Sequence, residues 1–451
     1  MNFSILLALG IYIAILAVIT YYSAKRESPD DFLIGSRKMG WVAIGLSVFA
    51  TLISSYNLVV GLTFGYLFGV YLILAFAGAI LAFIGVYFIF LKNRGEFVKR
   101  NFINVIDYFE YKFGSRTAKL LNLTFIFILF FFIVLQLYVN TFVFSNLMGW
   151  NKYISSIFVA AIVLAYTYLG GFKTDVKTDI FQGIFMFALV ILVFLVDISP
   201  ITSTAIYENI ADKAILVGAI SLAIMQFLTL LVQPELWQRA YSAKSNKDLK
   251  KGFILAFGLL LLILVPEVII GMAAKYGGQI TNAGNAFYEI MKFAAPSWLF
   301  PLIIVALFAA FMSTLDSSLF AISSQLGKQG ILRHQKETDA IKIKNNVRIA
   351  MVIVTLIALV FSLFIADFLG ALFQLISIAT VAATVVMMSF LLKVSQKESF
   401  IALIIGIIAY VVASFGGVIT QDFHTALYPS IFVAVYMLVQ KIAVSLHARS
   451  L

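Results

Sequence analysis

Apolar runs of about 20 residues, separated by short polar breaks, recur along the chain from its first residues to its last. Wound as an α-helix, a run of that length crosses the roughly 30 Å hydrocarbon core of a bilayer. Thirteen runs qualify, at approximately 3–22, 41–66, 69–91, 119–148, 152–170, 178–198, 214–238, 252–274, 297–326, 347–366, 369–392, 399–416 and 425–445. The pattern predicts an all-α polytopic membrane protein with about 13 transmembrane helices, since a helix satisfies its own backbone groups in lipid. Between the runs, 101–119 intersperses Phe102, Ile103, Val105, Ile106, Phe109 and Phe113 with charged residues. That pattern predicts an amphipathic helix lying along the cytoplasmic interface. A similar pattern over 284–298 predicts a short external helix, and 332–346 reads as a solvated loop.

Composition supports a membrane rather than a soluble core: 62% of residues are hydrophobic and only 12% charged, where soluble domains carry about 25% charged. The 451 residues therefore form one bundle rather than three soluble domains. With no cysteine and three histidines, disulfides, thiolate catalysis and cysteine metal sites are excluded, and a zinc or di-iron centre is disfavoured. No organic cofactor is expected, and nothing points to an enzyme.

The net charge of +11 changes meaning once its location is mapped. Loops 23–40, 92–119, 171–177, 239–251, 327–348 and 393–397, with the tail from 441, hold 28 of the 32 Lys and Arg residues. These are alternate loops, and basic residues mark the cytoplasmic side. The chain is expected in the plasma (inner) membrane, N-terminus outside and C-terminus in the cytoplasm, with lipid as its surroundings and no nucleic-acid partner. The first run lacks a basic leader and a small-residue cleavage site and is followed by "SAKRES", so it is expected to be a retained helix.

Polar residues inside two runs carry the candidate chemistry. Run 41–66 clusters Thr51, Ser54, Ser55, Tyr56 and Asn57 near its middle, followed by Gly61 and Gly65. Interhelical packing accounts for such a cluster; so does a helix that breaks near the midplane and frees the carbonyls of Ala50 and Ile53 for a cation. Run 297–326 contains "AAFMSTLDSSL", in which Ala310, Ser313, Thr314 and Ser317 share one helix face. Two hydroxyls and three carbonyls make a five-oxygen site suited to a small monovalent cation that must be released. Asp316 lies one position off that face, available to a second site or as an anchor, and a carboxylate in a spanning segment is functional by default. Near 178–198, Lys173, Asp175 and Lys177 read as solvated loop charges, while Asp179 reads equally well as a helix cap or an ion ligand.

With the entry segment "DDFLIGSRKMGWVAIGLSVFAT", the turn "YLGGFKTDVKTDIFQ", the helix end "QPELWQRAYSAKSNKDLKKG" and "AAFMSTLDSSL" in this order, the chain resembles the sodium:solute symporter family over roughly residues 20–395. The resemblance implies a LeuT-like inverted 5+5 repeat, with one extra N-terminal helix and two extra C-terminal helices. Residues 1–40 would hold the extra helix and a loop, 41–198 and 214–392 the two repeats, and 393–451 the last helices and tail. The first helix of each repeat would be broken. The family pattern places Na⁺ on Ala50, Ile53, Ala310, Ser313 and Thr314, and a second Na⁺ on Asp179, Asp316 and Ser317. Leu52 stands where some members carry an acidic residue, which shifts cation binding toward run 297–326.

By position in the same pattern, the solute would meet Asn57, Gln226 and Ser377, with Tyr56 and Phe373 as gates. No Lys or Arg falls within these crossings, so an arginine clamp for an acidic solute is not evident. The implied function is Na⁺-coupled symport, with one or two ions, of a small polar organic solute such as a sugar, amino acid, carboxylate or vitamin. A solute sensor of the same fold, or coupling to H⁺, are the alternatives. Neither a channel nor an ATP-driven pump fits: the polar groups concentrate in three crossings, and the cytoplasmic loops are too short for a nucleotide-binding domain.

Overall fold

A computed structural model of the chain describes residues 3–25, 27–53, 55–278, 280, 289–290, 296, 298–329 and 339–450. Helix α1 (Phe3–Ala24) is followed by the short α2 (Pro29–Ile34), whose start is capped by the Ser28 hydroxyl accepting the Asp31 N–H at 3.1 Å. Then come α3 (Trp41–Leu52), α4 (Ser55–Phe68), α5 (Leu72–Lys99), α6 (Val105–Met148), α7 (Lys152–Leu169), α8 (Phe172–Met186) and α9 (Ala188–Val193). The second half comprises α10 (Ser203–Ala211), α11 (Lys213–Val232), α12 (Pro234–Ser242), α13 (Asn246–Tyr276) and α14 (Phe300–Gln329). It ends with α15 (Ala340–Ser362), α16 (Phe368–Leu391), α17 (Gln396–Phe415) and α18 (Tyr428–Ser450).

Among the described residues, eleven helices are long and apolar enough to cross a membrane, rather than thirteen. The difference lies in two interrupted runs. In the run 41–66, Ile53 leaves helical geometry (φ −86°, ψ 78°) and ends α3 after 12 residues. The second half of that run, α4, continues through a 3-10 turn at Gly69–Tyr71 into α5. Run 178–198 is divided between α8, which starts six residues earlier than expected, and the six-residue α9. The expected external helix over 284–298 falls largely outside the described residues, as do residues 332–338 of the expected loop 332–346; the second half of that loop is helical instead, because the next membrane-length helix already starts at Ala340. Where description resumes, Asp339 caps α15 by accepting the Ile341 N–H at 2.8 Å.

The segment 101–119 departs from its expected place along the interface. Phe102, Ile103, Val105, Ile106, Phe109 and Phe113 are all buried in the protein core. Tyr108 and Phe109 lie 5.3 and 6.1 Å, ring to ring, from Trp237 of α12. Gly114, at φ +77°, bends the chain between this segment and the long remainder of α6, a conformation open to glycine at little cost. Amphipathic periodicity identified a buried face correctly, but its cover is protein rather than lipid.

Helix α14 is the interior post of the bundle. Its membrane-length window is 94% buried, against 28% for α1 and 22% for α17, so its hydroxyls face other helices rather than lipid. It packs against α15, α8, α6, α1, α4 and α3. Beside it, α4 and α13 approach through Gly61, Gly65 and Gly271, and a Cβ on Gly271 would lie 2.6 Å from the Cα of Gly65. Small residues spaced by four let two membrane helices meet at their backbones.

Candidate functional site

Four helix segments bring a polar cluster to the centre. Gly171, in extended conformation, starts α8 at Phe172, so Asp179 lies within the helix and is not its cap. Asp175 and Asp179, four residues apart, share one helical face. Asp175 is buried rather than solvated, because that face packs inward; Lys177 stays exposed on the opposite side. Pro234, the first residue of α12, follows an extended Gln233 (φ −63°, ψ 118°) and redirects the chain inward. This turn carries Arg239 into the core at 1% exposure, although the apolar pattern assigns it to a cytoplasmic loop. Ser47 and Thr51 come from α3, and Ser313, Thr314, Asp316 and Ser317 from α14.

Arg239 organises the cluster. Its Nη2 donates to Asp175 Oδ2 at 2.8 Å and Asp179 Oδ2 at 3.0 Å, and contacts Ser317 Oγ at 2.5 Å. Its Nε donates to Ser47 Oγ at 3.1 Å, and Ser47 in turn donates to Asp179. Ser313 donates to the other oxygen of Asp179. Asp316 accepts the Tyr166 hydroxyl of α7 at 2.7 Å and the Ser317 N–H at 2.7 Å. Oxygens of Asp175, Asp179 and Asp316 lie within 4.8 Å of one another. Three carboxylates against one guanidinium leave a formal charge of −2 in a buried site. An uncompensated charge of that size is expensive in a low-dielectric interior, and oxygen-only donors are what a hard cation takes. The residues present therefore fit sodium.

The five-oxygen set lies at the adjoining corner. Ala50 and Ile53 are buried at the end of α3, where a helix leaves its last carbonyls without intrahelical donors. Ala310, Ser313 and Thr314 are buried on α14. The Thr314 hydroxyl donates to the carbonyl of Thr51 at 3.0 Å, which ties α14 to the end of α3 and leaves the Thr314 oxygen free to accept a cation. Ser318 belongs elsewhere: it donates to Glu235 Oε1 at 2.6 Å.

Next to this corner is a cavity of about 270 Å³. Thr51, Leu52, Ile53 and Thr314 form part of its wall, so the ion-candidate residues and the cavity share a surface. Gln226 lines it as expected from the sequence. Ser377 and Phe373 do not: Ser377 is buried in α16, and Phe373 packs edge-on against Phe423 at 4.9 Å. The side chains of Tyr56 and Asn57 lie outside the described residues. Sequence reasoning missed Asp175, Arg239, Ser47 and Tyr166, as well as Glu235 and Glu267 on the cavity wall. The four-residue spacing of Asp175 and Asp179 was a usable signal; for Arg239 nothing in the apolar pattern separates a buried basic residue from a loop one.

The sequence profile described as "Sodium:solute symporter family" matches residues 32–419. The osmoregulated proline transporter OpuE of Bacillus subtilis is 24% identical over 406 residues, which span 80% of this chain and 78% of the relative. A sodium/proline symporter of Staphylococcus aureus is 24% identical over 409 residues, 79% of this chain and 75% of the relative. Among solved structures, a Na⁺-coupled sialic acid symporter in a substrate-bound outward-open state superposes with a TM-score of 0.81 at 20% identity, covering 98% of both chains. MhsT in complex with L-phenylalanine superposes with a TM-score of 0.56 at 14% identity, covering 88% of this chain and 97% of that one. The fold is thus the LeuT-like symporter arrangement.

Proposed function

The chain belongs to the sodium:solute symporter family and is an integral membrane Na⁺-coupled symporter, not an enzyme, and we propose that its solute is a small polar organic molecule bound in the 270 Å³ cavity. The observation that carries this reading is the shared wall. Thr51 and Thr314, joined by their hydrogen bond, face the cavity on one side and the ion-candidate corner on the other. A cation held there by the carbonyls of Ala50, Ile53 and Ala310 and the hydroxyls of Ser313 and Thr314 fixes the end of α3 against α14. That completes the wall the solute meets. A second Na⁺ goes to Asp179, Asp316 and Ser317, where the formal charge of −2 leaves room for it. Arg239 already engages Asp179 and Ser317, so this second ion must share or displace the guanidinium.

The two halves, 41–198 and 214–392, form the inverted repeats; interruptions at Ile53 and Gln233 in the first helix of each support that division. With the interrupted runs 41–66 and 178–198 each counted as one crossing, each half has five, an odd number that inverts one half relative to the other. The distribution of basic loops supports a C-terminus in the cytoplasm and an N-terminus outside. Alternating access then follows from motion of one group of helices against the other around the cavity. Gln226 is the solute-facing polar group retained from the sequence reading, while the homology to proline carriers favours a solute of amino-acid size.

The test is reciprocal linkage. Solute affinity of the purified protein is measured in Na⁺ and in K⁺, and Na⁺ affinity with and without solute. A coupling of about 1–3 kcal/mol, roughly 5–150-fold, is expected in both directions. Equal solute affinity in the two salts rules the coupling out.

A further inference from the structure

Glu267 is the cavity's charged group that the transport reading leaves without a task. It sits on α13 directly after Pro266, is 94% buried at 6% exposure, and lines the cavity. Among the described residues no side chain or backbone group donates a hydrogen bond to it. The other carboxylate of the wall, Glu235, accepts from Ser318. Gly61 of α4 makes the space Glu267 occupies: a Cβ at Gly61 would run into the Glu267 carboxyl group. Among the described residues, the cavity wall contains no Lys, Arg or His. It does contain Phe64, Phe76, Phe125 and Phe132.

A carboxylate in such a place has no counter-charge among the described residues, and burial without one is costly. An inorganic cation needs several oxygen ligands, whereas this wall is mostly hydrocarbon and aromatic. A nitrogen cation carried on an organic frame fits both features. The carboxylate takes its N–H groups or balances its charge, and the phenyl faces attract the cation while covering the carbon frame. We infer that Glu267 is a specificity-determining residue that selects solutes bearing a positively charged nitrogen, as a free ammonium or the ammonium of a zwitterion. The inference rests on the cavity being the solute site and narrows the solute class within it: sugars and simple carboxylates are disfavoured.

The experiment uses the purified full chain in saturating Na⁺ and follows thermal unfolding with matched pairs of small compounds. The pairs are L-proline with tetrahydrofuran-2-carboxylate, piperidine with tetrahydropyran, and choline with 3,3-dimethylbutanol. Ammonium members are expected to stabilise, with their uncharged-centre counterparts roughly tenfold or more weaker in apparent affinity. Glu267→Gln is expected to lose about the same factor for the ammonium members and to erase the preference. Na⁺ alone should stabilise the variant as it does the wild type, which reports that the fold and the ion sites are intact. Equal stabilisation by both members of each pair, no stabilisation by any ammonium member, or an unchanged preference in Glu267→Gln overturns the inference. An ammonium preference that is the same in K⁺ as in Na⁺ supports the role of Glu267 while removing the coupled-transport reading, so the two are separable.

Discussion

The hydroxyl of Thr314 reaches the carbonyl of Thr51 at 3.0 Å, joining the most buried of the described membrane-length helices to the last turn before the break in α3. One hydrogen bond between membrane helices is worth only about 0.6 kcal/mol on average, so its loss alone leaves the fold intact. If the same oxygen also ligates Na⁺, the loss is larger, because bonds to a charged partner are worth about 1.5–3 kcal/mol. Thr314→Ala and Ser313→Ala are therefore expected to raise the Na⁺ concentration for half-maximal uptake roughly tenfold or more. Thr314→Ser, which keeps the hydroxyl, should stay near wild type. Small, equal shifts in all three variants would assign these groups to packing alone.

The carboxylate cluster predicts the number of coupled ions. Asp316 bonds Tyr166 and lies beside Asp175 and Asp179, yet it makes no ion pair with Arg239. With two coupled ions, the wild type should show a Na⁺ Hill coefficient above one, and Asp316→Asn should bring it toward one while solute binding persists. Asp179→Asn keeps one acceptor oxygen, enough for Ser47 or Ser313 but not both, and removes the charge, and should shift the Na⁺ dependence more strongly. A wild-type coefficient of one, unchanged in Asp316→Asn, argues for a single ion.

Arg239 should matter more for stability than any single carboxylate. Removing one partner from a buried ion pair costs about 3–5 kcal/mol. Arg239→Gln leaves three carboxylates within 4.8 Å without their cation. The variant is expected to unfold at markedly lower temperature, and added Na⁺ should restore more stability to it than to wild type. Asp175→Asn in the Arg239→Gln background returns the formal charge to −2 and should recover part of the loss. Thermal unfolding across a Na⁺ series checks all three; a double variant no more stable than Arg239→Gln contradicts the charge-balance account.

The packing of α4 on α13 gives a steric prediction. A Cβ at Gly65 would collide with the backbone carbonyl of Glu267, which cannot swing aside. Gly65→Ala is expected to destabilise by about 1–3 kcal/mol, the usual cost of overpacking. Gly258→Ala, on α13 with no atom within 4 Å of the added carbon, should be neutral or slightly stabilising. Comparable melting temperatures for the two variants would mean the helices separate without penalty.

The sequence by itself determined the all-helical membrane class, most helix positions and the α14 face that carries Ser313, Thr314 and Ser317, while it left the interruption of the first core helix as one of two readings. Each of these is a local property: a bilayer demands long apolar runs, helical periodicity sets which residues share a face, and the resemblance to a known family supplied the fold. Arg239 and Asp175 were beyond that reach. Both sit next to basic, loop-like sequence, and only the turn at Gln233–Pro234 and the early start of α8 carry them inward to each other. The face of 101–119 was legible as apolar, yet whether lipid or Trp237 covers it depends on where α12 lies. Glu267 carried the same signal as Asp316, a carboxylate inside an apolar run, but whether such a group meets a partner, a lipid headgroup or a cavity is not written in the run. Burial, charge balance and open space are sums over residues distant in the chain, and those sums exist only once the helices have packed.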